Sequence, residues 1–110
     1  MRTFFYFQNA MVSTDIGNIC SVSNSYLRFD HPQPSFFAAM SFGNCGYAFP
    51  CAMGAKLAAP ERPSIAYVGD GAWGMSLNEI MTCVRENIPA IAGKLGWKII
   101  QDSILFKLYL

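Results

Sequence analysis

One carboxylate stands out for its setting, because Asp70 lies between two glycines, Gly69 and Gly71, directly after a short apolar run. That run, residues 65–68, is typical of a short buried β-strand. An aspartate at the carboxyl end of a strand is suited to Mg²⁺, and flanking glycines let backbone amides approach a phosphate closely. Ligands of open α/β sheets bind at this edge. The stretch therefore predicts a combined phosphate and metal site.

A helix is predicted directly after this loop. Ser76 and Glu79 have the three-residue spacing of a capping box, which places the start of the helix at Ser76. Pro89 is expected to end it. Apolar residues recur at steps of three and four and predict one stripe that packs in the core. The stripe consists of Leu77, Ile80, Met81, Val84 and Ile88.

The remaining pattern alternates strands and helices. A small-residue helix is predicted over residues 50–59, with Pro50 in its first turn and Pro60 at its end. Upstream, the sequence predicts a strand at 10–13, a helix at 19–27, a proline loop at 30–34, an extended segment at 35–40 and a glycine-bearing loop at 41–46. This order indicates an α/β fold of three layers, in which helices flank a mostly parallel sheet.

Composition narrows the class of protein. The formal net charge is +1 and 14% of residues are charged, so no basic patch indicates nucleic acid. No window approaches the roughly 18 apolar residues of a membrane span. The four cysteines form no C-x-x-C pair, which argues against zinc. The apolar run near the N-terminus is too short for a signal peptide and lacks a small-residue cleavage site, so a reduced, cytoplasmic setting is expected. The 53% hydrophobic content suggests that some apolar surface contacts other domains or subunits.

Several blocks together resemble a known family. The Gly69-Asp70-Gly71 triplet resembles the start of the thiamine diphosphate motif, which closes downstream with an asparagine. The blocks at 12–19, 26–29 and 40–50 resemble, in order and spacing, the acetolactate synthase superfamily of thiamine diphosphate-dependent enzymes. The resemblance covers residues 9–90 and implies the fold of their pyrophosphate-binding domain, with thiamine diphosphate and Mg²⁺ as cofactors.

The resemblance implies roles for individual residues at the metal and diphosphate end. Asp70 would coordinate Mg²⁺, and the backbone amides of Gly71 and Ala72 would contact the diphosphate. An earlier loop would line the diphosphate with Ile16, Gly17 and Asn18.

At the other end of the cofactor, the carbonyl of Gly43 would hold the aminopyrimidine. Cys45 occupies the position at which relatives often place a methionine that keeps the cofactor bent. That bend brings the cofactor's own amino group to the reacting carbon, so proximity and general base catalysis come from the cofactor itself. No side chain of this chain is therefore expected to be catalytic.

The resemblance also implies partners and a departure from the family. Relatives carry the activating glutamate in a separate pyrimidine-binding domain, and the intact enzyme is expected to be a homo-oligomer. The closing asparagine would fall near Trp97 and is missing. Residues 91–110 do not resemble the family, so the prediction is a cofactor-binding domain fragment at 9–90 followed by a divergent tail, as in a truncated or frame-shifted product.

Within the superfamily, the blocks are most similar to the branch that converts sulfoacetaldehyde and phosphate into acetyl phosphate and sulfite. The isolated chain is expected to be inactive. A carboligase fragment of the acetolactate synthase type is an alternative, as is a non-catalytic α/β fragment that binds a partner chain. A nucleotide-binding Rossmann domain is disfavoured. Gly69, Gly71 and Gly74 match G-x-G-x-x-G, but Asp70 would face the pyrophosphate, and the acidic residue expected about 20 residues later on a second strand is not evident.

Overall fold

The computed structural model describes residues 5–7, 9–94 and 105–106, with side chains described over residues 9–93. The strands are β1 (Phe5–Phe7), β2 (Met11–Thr14), β3 (Leu27–Phe29), β4 (Phe36–Ala38), β5 (Ser64–Val68), β6 (Ile91–Lys94) and β7 (Leu105–Phe106). The helices are α1 (Asn18–Tyr26), α2 (Ala48–Ala58), α3 (Asp70–Ser76) and α4 (Ile80–Arg85), and a 3₁₀ turn (Leu77–Glu79) joins the last two.

The main sheet has the strand order β4-β2-β5-β6-β7. Its first four strands are parallel and β7 is antiparallel to β6, while β1 and β3 form a separate parallel pair. The predicted α/β class, a largely parallel sheet with flanking helices, is confirmed. The chain leaves β2 toward β4 and leaves β5 toward β6, so the order reverses between β2 and β5, which is where such sheets bind ligands.

The core lies between the sheet and α2. Along β5, the burial alternates so that Ser64, Ala66 and Val68 are buried. These residues and the small side chains of α2 let helix and sheet approach closely, and Phe49 fills the space between them at 0% exposure. The core cluster consists of Ala48, Phe49, Ala52, Met53, Ala66, Val68, Cys83, Ile88, Ala90 and Ala92.

The structure corrects the predicted start of the helix after the glycine loop. Helix α3 already begins at Asp70, six residues before Ser76. Ser76 instead closes α3, and its hydroxyl donates to the carbonyl of Ala72 at 3.4 Å. Glu79 accepts a hydrogen bond from Thr82 at 2.7 Å. The capping box does not form, because Ser76 is inside a helix whose first turn follows β5 directly.

The predicted core stripe is wrong for most of its members. Met81 is 71% exposed, and Leu77 and Val84 are also exposed; Ile88 is buried, and Cys83, outside the stripe, is buried on α4. The break at the 3₁₀ turn rotates α4 relative to a continuous helix, so the residues that share a stripe in sequence do not share the face that meets the sheet.

Strand β6 forms where the sequence pattern was weak. Residues 91–94, the start of the predicted tail, form β6 beside β5 despite Gly93. The ring of Tyr67 lies 3.6 Å from the position that a Cβ on Gly93 would occupy. The boundary between domain and tail stays a prediction. Across the described part of the chain, no helix is long and apolar enough to cross a bilayer.

Candidate functional site

Three loops meet at the carboxyl edge of the sheet, because β2, β4 and β5 are parallel neighbours. The first loop follows β2, the second loop (residues 39–47) follows β4, and the third follows β5. Every residue predicted from the family resemblance lies on one of these loops or on the first turn of the helix that follows it. The sheet therefore brings together the positions predicted to contact a cofactor.

The first loop carries Ile16, Gly17 and Asn18 into the start of α1. Gly17 has φ = 99°, a conformation that other residues rarely adopt, and a Cβ there would meet no atom within 4 Å. Gly17 and Asn18 are exposed, whereas Ile16 is half-buried. The loop thus presents open backbone at the point where the strand order reverses.

The second loop carries Gly43 and Cys45, and both are exposed. Gly43 has φ = 73°, and its N–H donates to the carbonyl of Ala39 at 2.7 Å. Cys45 is a free thiol on the surface of this loop.

The third loop carries Asp70, Gly71 and Ala72 on the first turn of α3. Asp70 and Gly71 are exposed and Ala72 is buried. The N–H of Gly71 donates to Oδ1 of Asp70 at 2.9 Å. This amide is therefore free to meet a phosphate only when the Asp70 carboxylate turns away from it.

The loops contact one another. A Cβ at Gly43 would lie 3.8 Å from Cγ1 of Ile16, so the second loop lies close to the first. At Gly46, φ is 82° and a Cβ would lie 3.1 Å from the Cβ of Met75, so the second loop also packs closely on α3. Gly46 was not predicted as a site residue. Its position between an exposed loop and the start of a helix is the sequence feature that could have identified it.

A buried aspartate, Asp15, for which the sequence predicted no role, links the first loop to the end of the second loop and the start of α2. Oδ1 of Asp15 accepts hydrogen bonds from the N–H of Tyr47 at 2.8 Å and of Ala48 at 3.2 Å. Next to it, the hydroxyl of Ser13 donates to the carbonyl of Ala48 at 2.6 Å. A signal was available in the sequence, because residues 46–50 contain no side chain able to cap a helix, so α2 needs an acceptor from elsewhere.

The first turn of α2 also perturbs one phenol. A hydrogen bond between its hydroxyl and the Cys51 thiol, 3.4 Å apart, and burial raise the pKa of Tyr47 to about 12. Tyr47 is therefore neutral at physiological pH and does not act as a base.

The carboxyl edge of the sheet offers one predicted side-chain ligand for Mg²⁺, the carboxylate of Asp70, beside backbone amides that could meet a diphosphate. Among residues 9–93, no group of three His, Cys, Asp or Glu side chains is placed to hold a metal. Mg²⁺ is commonly held by one or two carboxylates together with phosphate oxygens, so Asp70 alone fits an ion shared with a diphosphate. The position at which the closing asparagine was expected, near Trp97, lies outside the described residues.

Comparison with protein families agrees with the geometry. Residues 15–92 match the family model described as thiamine pyrophosphate enzyme, C-terminal TPP binding domain. The chain is 71% identical over 85 residues to a sulfoacetaldehyde acetyltransferase of Castellaniella defragrans, covering 77% of this chain and 14% of that protein. It is 74% identical over 82 residues to one of Alcaligenes xylosoxydans xylosoxydans, covering 74% and 13%. The chain thus spans about one seventh of these relatives, as the coverage of 14% shows.

A solved structure shares the fold. The thiamine diphosphate-dependent 4-hydroxybenzoylformate decarboxylase of Rhodococcus jostii RHA1 superimposes with a TM-score of 0.70 at 26% identity. The superposition covers 79% of this chain and 16% of that one. The predicted resemblance to thiamine diphosphate-dependent enzymes is confirmed by both comparisons.

Proposed function

The chain belongs to the thiamine pyrophosphate enzymes, matching their C-terminal cofactor-binding domain, and on this premise we propose that its three loops hold thiamine diphosphate and Mg²⁺. Asp70 binds the Mg²⁺, and the amides of Gly71 and Ala72 contact the diphosphate. The observation that supports this assignment is the convergence of three loops where the strand order reverses between β2 and β5.

The other two loops complete the proposed cradle. Ile16, Gly17 and Asn18 line the diphosphate, and the open space around Gly17 suits a bulky anion. Gly43 offers its carbonyl to the aminopyrimidine. Cys45 lines the pocket where relatives often keep a larger side chain.

The intact protein is proposed to convert sulfoacetaldehyde and phosphate into acetyl phosphate and sulfite, so it is an acyltransferase. In this reaction the C–S bond breaks, sulfite leaves and the acetyl group forms a bond to a phosphate oxygen. When bound, thiamine diphosphate supplies the carbanion chemistry. The residues of this chain orient the cofactor and hold the Mg²⁺ that neutralises the diphosphate charge, while the activating glutamate lies on the pyrimidine-binding domain.

The remainder of the protein is proposed to cover the apolar side chains that α3 and α4 leave in solvent. Met75 is 67% exposed and Met81 is 71% exposed. Apolar surface of this kind is typical of contacts between domains or subunits. The pyrimidine-binding domain of the same enzyme and a second copy are the proposed partners. The four cysteines are free, which is consistent with the cytoplasm.

Calorimetric titration of the 110-residue chain with thiamine diphosphate and Mg²⁺ tests the proposal. We expect Asp70→Ala to weaken binding by about tenfold or more, because a charged partner contributes roughly 1.5–3 kcal/mol. Asp30→Ala is the matched control, since Asp30 is an exposed aspartate in the loop before β4.

The two variants separate a specific site from a general charge effect. Equal binding by Asp70→Ala and the wild-type chain would overturn the metal role of Asp70. The absence of heat at millimolar cofactor would favour the non-catalytic α/β fragment instead. Addition of a separately expressed pyrimidine-binding domain is expected to give turnover, measured as release of sulfite from sulfoacetaldehyde.

A further inference from the structure

Asp15 is a fully buried carboxylate, 0% exposed, between the first and second loops. It follows β2, and its backbone N–H donates to the carbonyl of Tyr67 on β5 at 3.1 Å. The backbone of Asp15 is therefore fixed to the sheet on the β5 side of the switch point.

Its side chain reaches the second loop. Oδ1 accepts from the N–H groups of Tyr47 and Ala48, which lie 32 and 33 residues further along the chain. These are the amides of the N-cap residue and of the first residue of α2, which carry no intrahelical partner. Helix α2 has no side-chain cap of its own and no acidic residue in its first turn. Asp15 thus supplies both the missing acceptor and the negative charge that the N-terminus of a helix favours.

The other carboxylate oxygen is not used in the same way. Oδ2 of Asp15 and the hydroxyl of the preceding Thr14 are buried without a hydrogen-bond partner. Leaving a buried polar atom unsatisfied costs stability. The cap on α2 therefore depends on Oδ1 alone.

Asp15 also lies close to the places where the loops approach one another. The side chain of the next residue, Ile16, lies 3.8 Å from the position that a Cβ on Gly43 of the second loop would occupy. One residue before Tyr47, Gly46 packs on Met75 of α3. Asp15 therefore lies at the junction through which the first loop, the second loop and α3 contact each other.

We propose that Asp15 is a positioning residue: its carboxylate fixes the spacing between the two loops that hold opposite ends of the cofactor. Asp15 contacts neither Mg²⁺ nor the diphosphate in this assignment. It acts through Tyr47 and Ala48 on the second loop and through Ile16 on the first. The inference rests on the proposed cofactor site and adds a residue to it.

Two substitutions and a matched control test the role. Asp15→Ala removes the acceptor, whereas Asp15→Asn retains an oxygen in the same place. Ser64→Ala is the control, because the Ser64 hydroxyl donates to the carbonyl of Ala52 at 2.7 Å. That buried bond ties the same helix to the sheet but contacts neither loop.

The first readout is affinity for thiamine diphosphate with Mg²⁺, titrated well below the unfolding midpoint of each variant. We expect Asp15→Ala to bind about tenfold more weakly, the low end of the effect of groups that orient ligand-binding residues. Asp15→Asn is expected to recover most of the affinity. Ser64→Ala is expected to unfold at lower temperature and bind as the wild-type chain does. Asp15→Ala with lower stability but unchanged affinity would overturn the positioning role.

The second readout needs no cofactor. Amide hydrogen exchange is expected to accelerate in Asp15→Ala at Tyr47 and Ala48 and across residues 39–46, and to remain unchanged there in Ser64→Ala. Unchanged exchange in the second loop of Asp15→Ala would overturn the inference even where binding is lost. If the wild-type chain binds no cofactor, the proposed function fails, and the exchange experiment still decides whether Asp15 orders the loops.

Discussion

Helix α2 and the segment from α3 to α4 both follow a strand end and both carry apolar residues, yet they pack differently. Phe49 on α2 is 0% exposed, whereas Met81 on α4 is 71% exposed. Around α2, serine hydroxyls from β2 and β5 bond its carbonyls and Asp15 bonds its first amides. The α3–α4 segment meets the core mainly through Cys83, Trp73 and Ile80.

The difference shows that an apolar stripe predicts burial only if its helix keeps one orientation. Helix α2 is a continuous run of eleven residues, Ala48–Ala58. The other segment is interrupted by a 3₁₀ turn at Leu77–Glu79, and the interruption changes which side chains meet the sheet. The exposed remainder is the surface proposed to contact the rest of the protein.

The largest predicted effect contrasts one buried and one exposed side chain. Phe49 packs edge-on against Trp73, with ring centroids 5.1 Å apart. Phe49→Ala is expected to lower the free energy of unfolding by about 3–5 kcal/mol, because it leaves a cavity in the core. Met81→Ala is expected to change it by at most about 0.5 kcal/mol. Urea denaturation of both variants measures the contrast, and equal losses would show that α4 is as well packed as α2.

A smaller effect on stability is predicted for two glycines, one just before α2 and the other inside α3. Gly46→Ala is expected to destabilise by at least about 1–2 kcal/mol, because its φ of 82° is strained for alanine and the new Cβ would lie 3.1 Å from Met75. Gly74 lies inside α3, where a Cβ meets nothing within 4 Å. Gly74→Ala is expected to stabilise by about 0.5–1 kcal/mol. Thermal unfolding that moves in the same direction for both would contradict the placement of Gly46.

The smallest predicted effect is a pH dependence on the buried side of α4. Burial, with the nearby Glu79 charge, raises the pKa of the Cys83 thiol. Because the folded pKa is raised, the stabilising contribution is complete below the ordinary thiol pKa and is lost as pH rises toward the folded value. The urea midpoint is therefore expected to fall slightly between pH 8 and 10, near the ordinary thiol pKa of roughly 8.5.

Cys83→Ala serves as the control for this dependence. The variant is expected to show a shallower fall of the urea midpoint with pH, although burial also raises the pKa of Tyr67 and leaves part of the slope. A Cys83→Ala slope identical to that of the wild-type chain would contradict the assignment. Alkylation gives an independent check, since exposed Cys45 is expected to react before buried Cys83.

The sequence alone determined the class of the fold and predicted the chemistry of its edge. The apolar run before Gly69 predicted β5, and the proline and small residues predicted α2 to within two residues of its observed start at Ala48. These features are local, because periodicity and backbone restriction act within a few residues. The blocks around Asp15, Gly43 and Asp70 likewise placed the chain in its family before any contact was visible.

Tertiary structure alone decided which faces are buried and how the loops are joined. The capping pair Ser76 and Glu79 has the right spacing, yet the helix begins at Asp70 because the chain leaves β5 directly into α3. The bond from Asp15 to Tyr47 spans 32 residues, and no local pattern specifies such a contact. Burial and long-range hydrogen bonds depend on which elements become neighbours in space, and that depends on the order of the strands in the sheet.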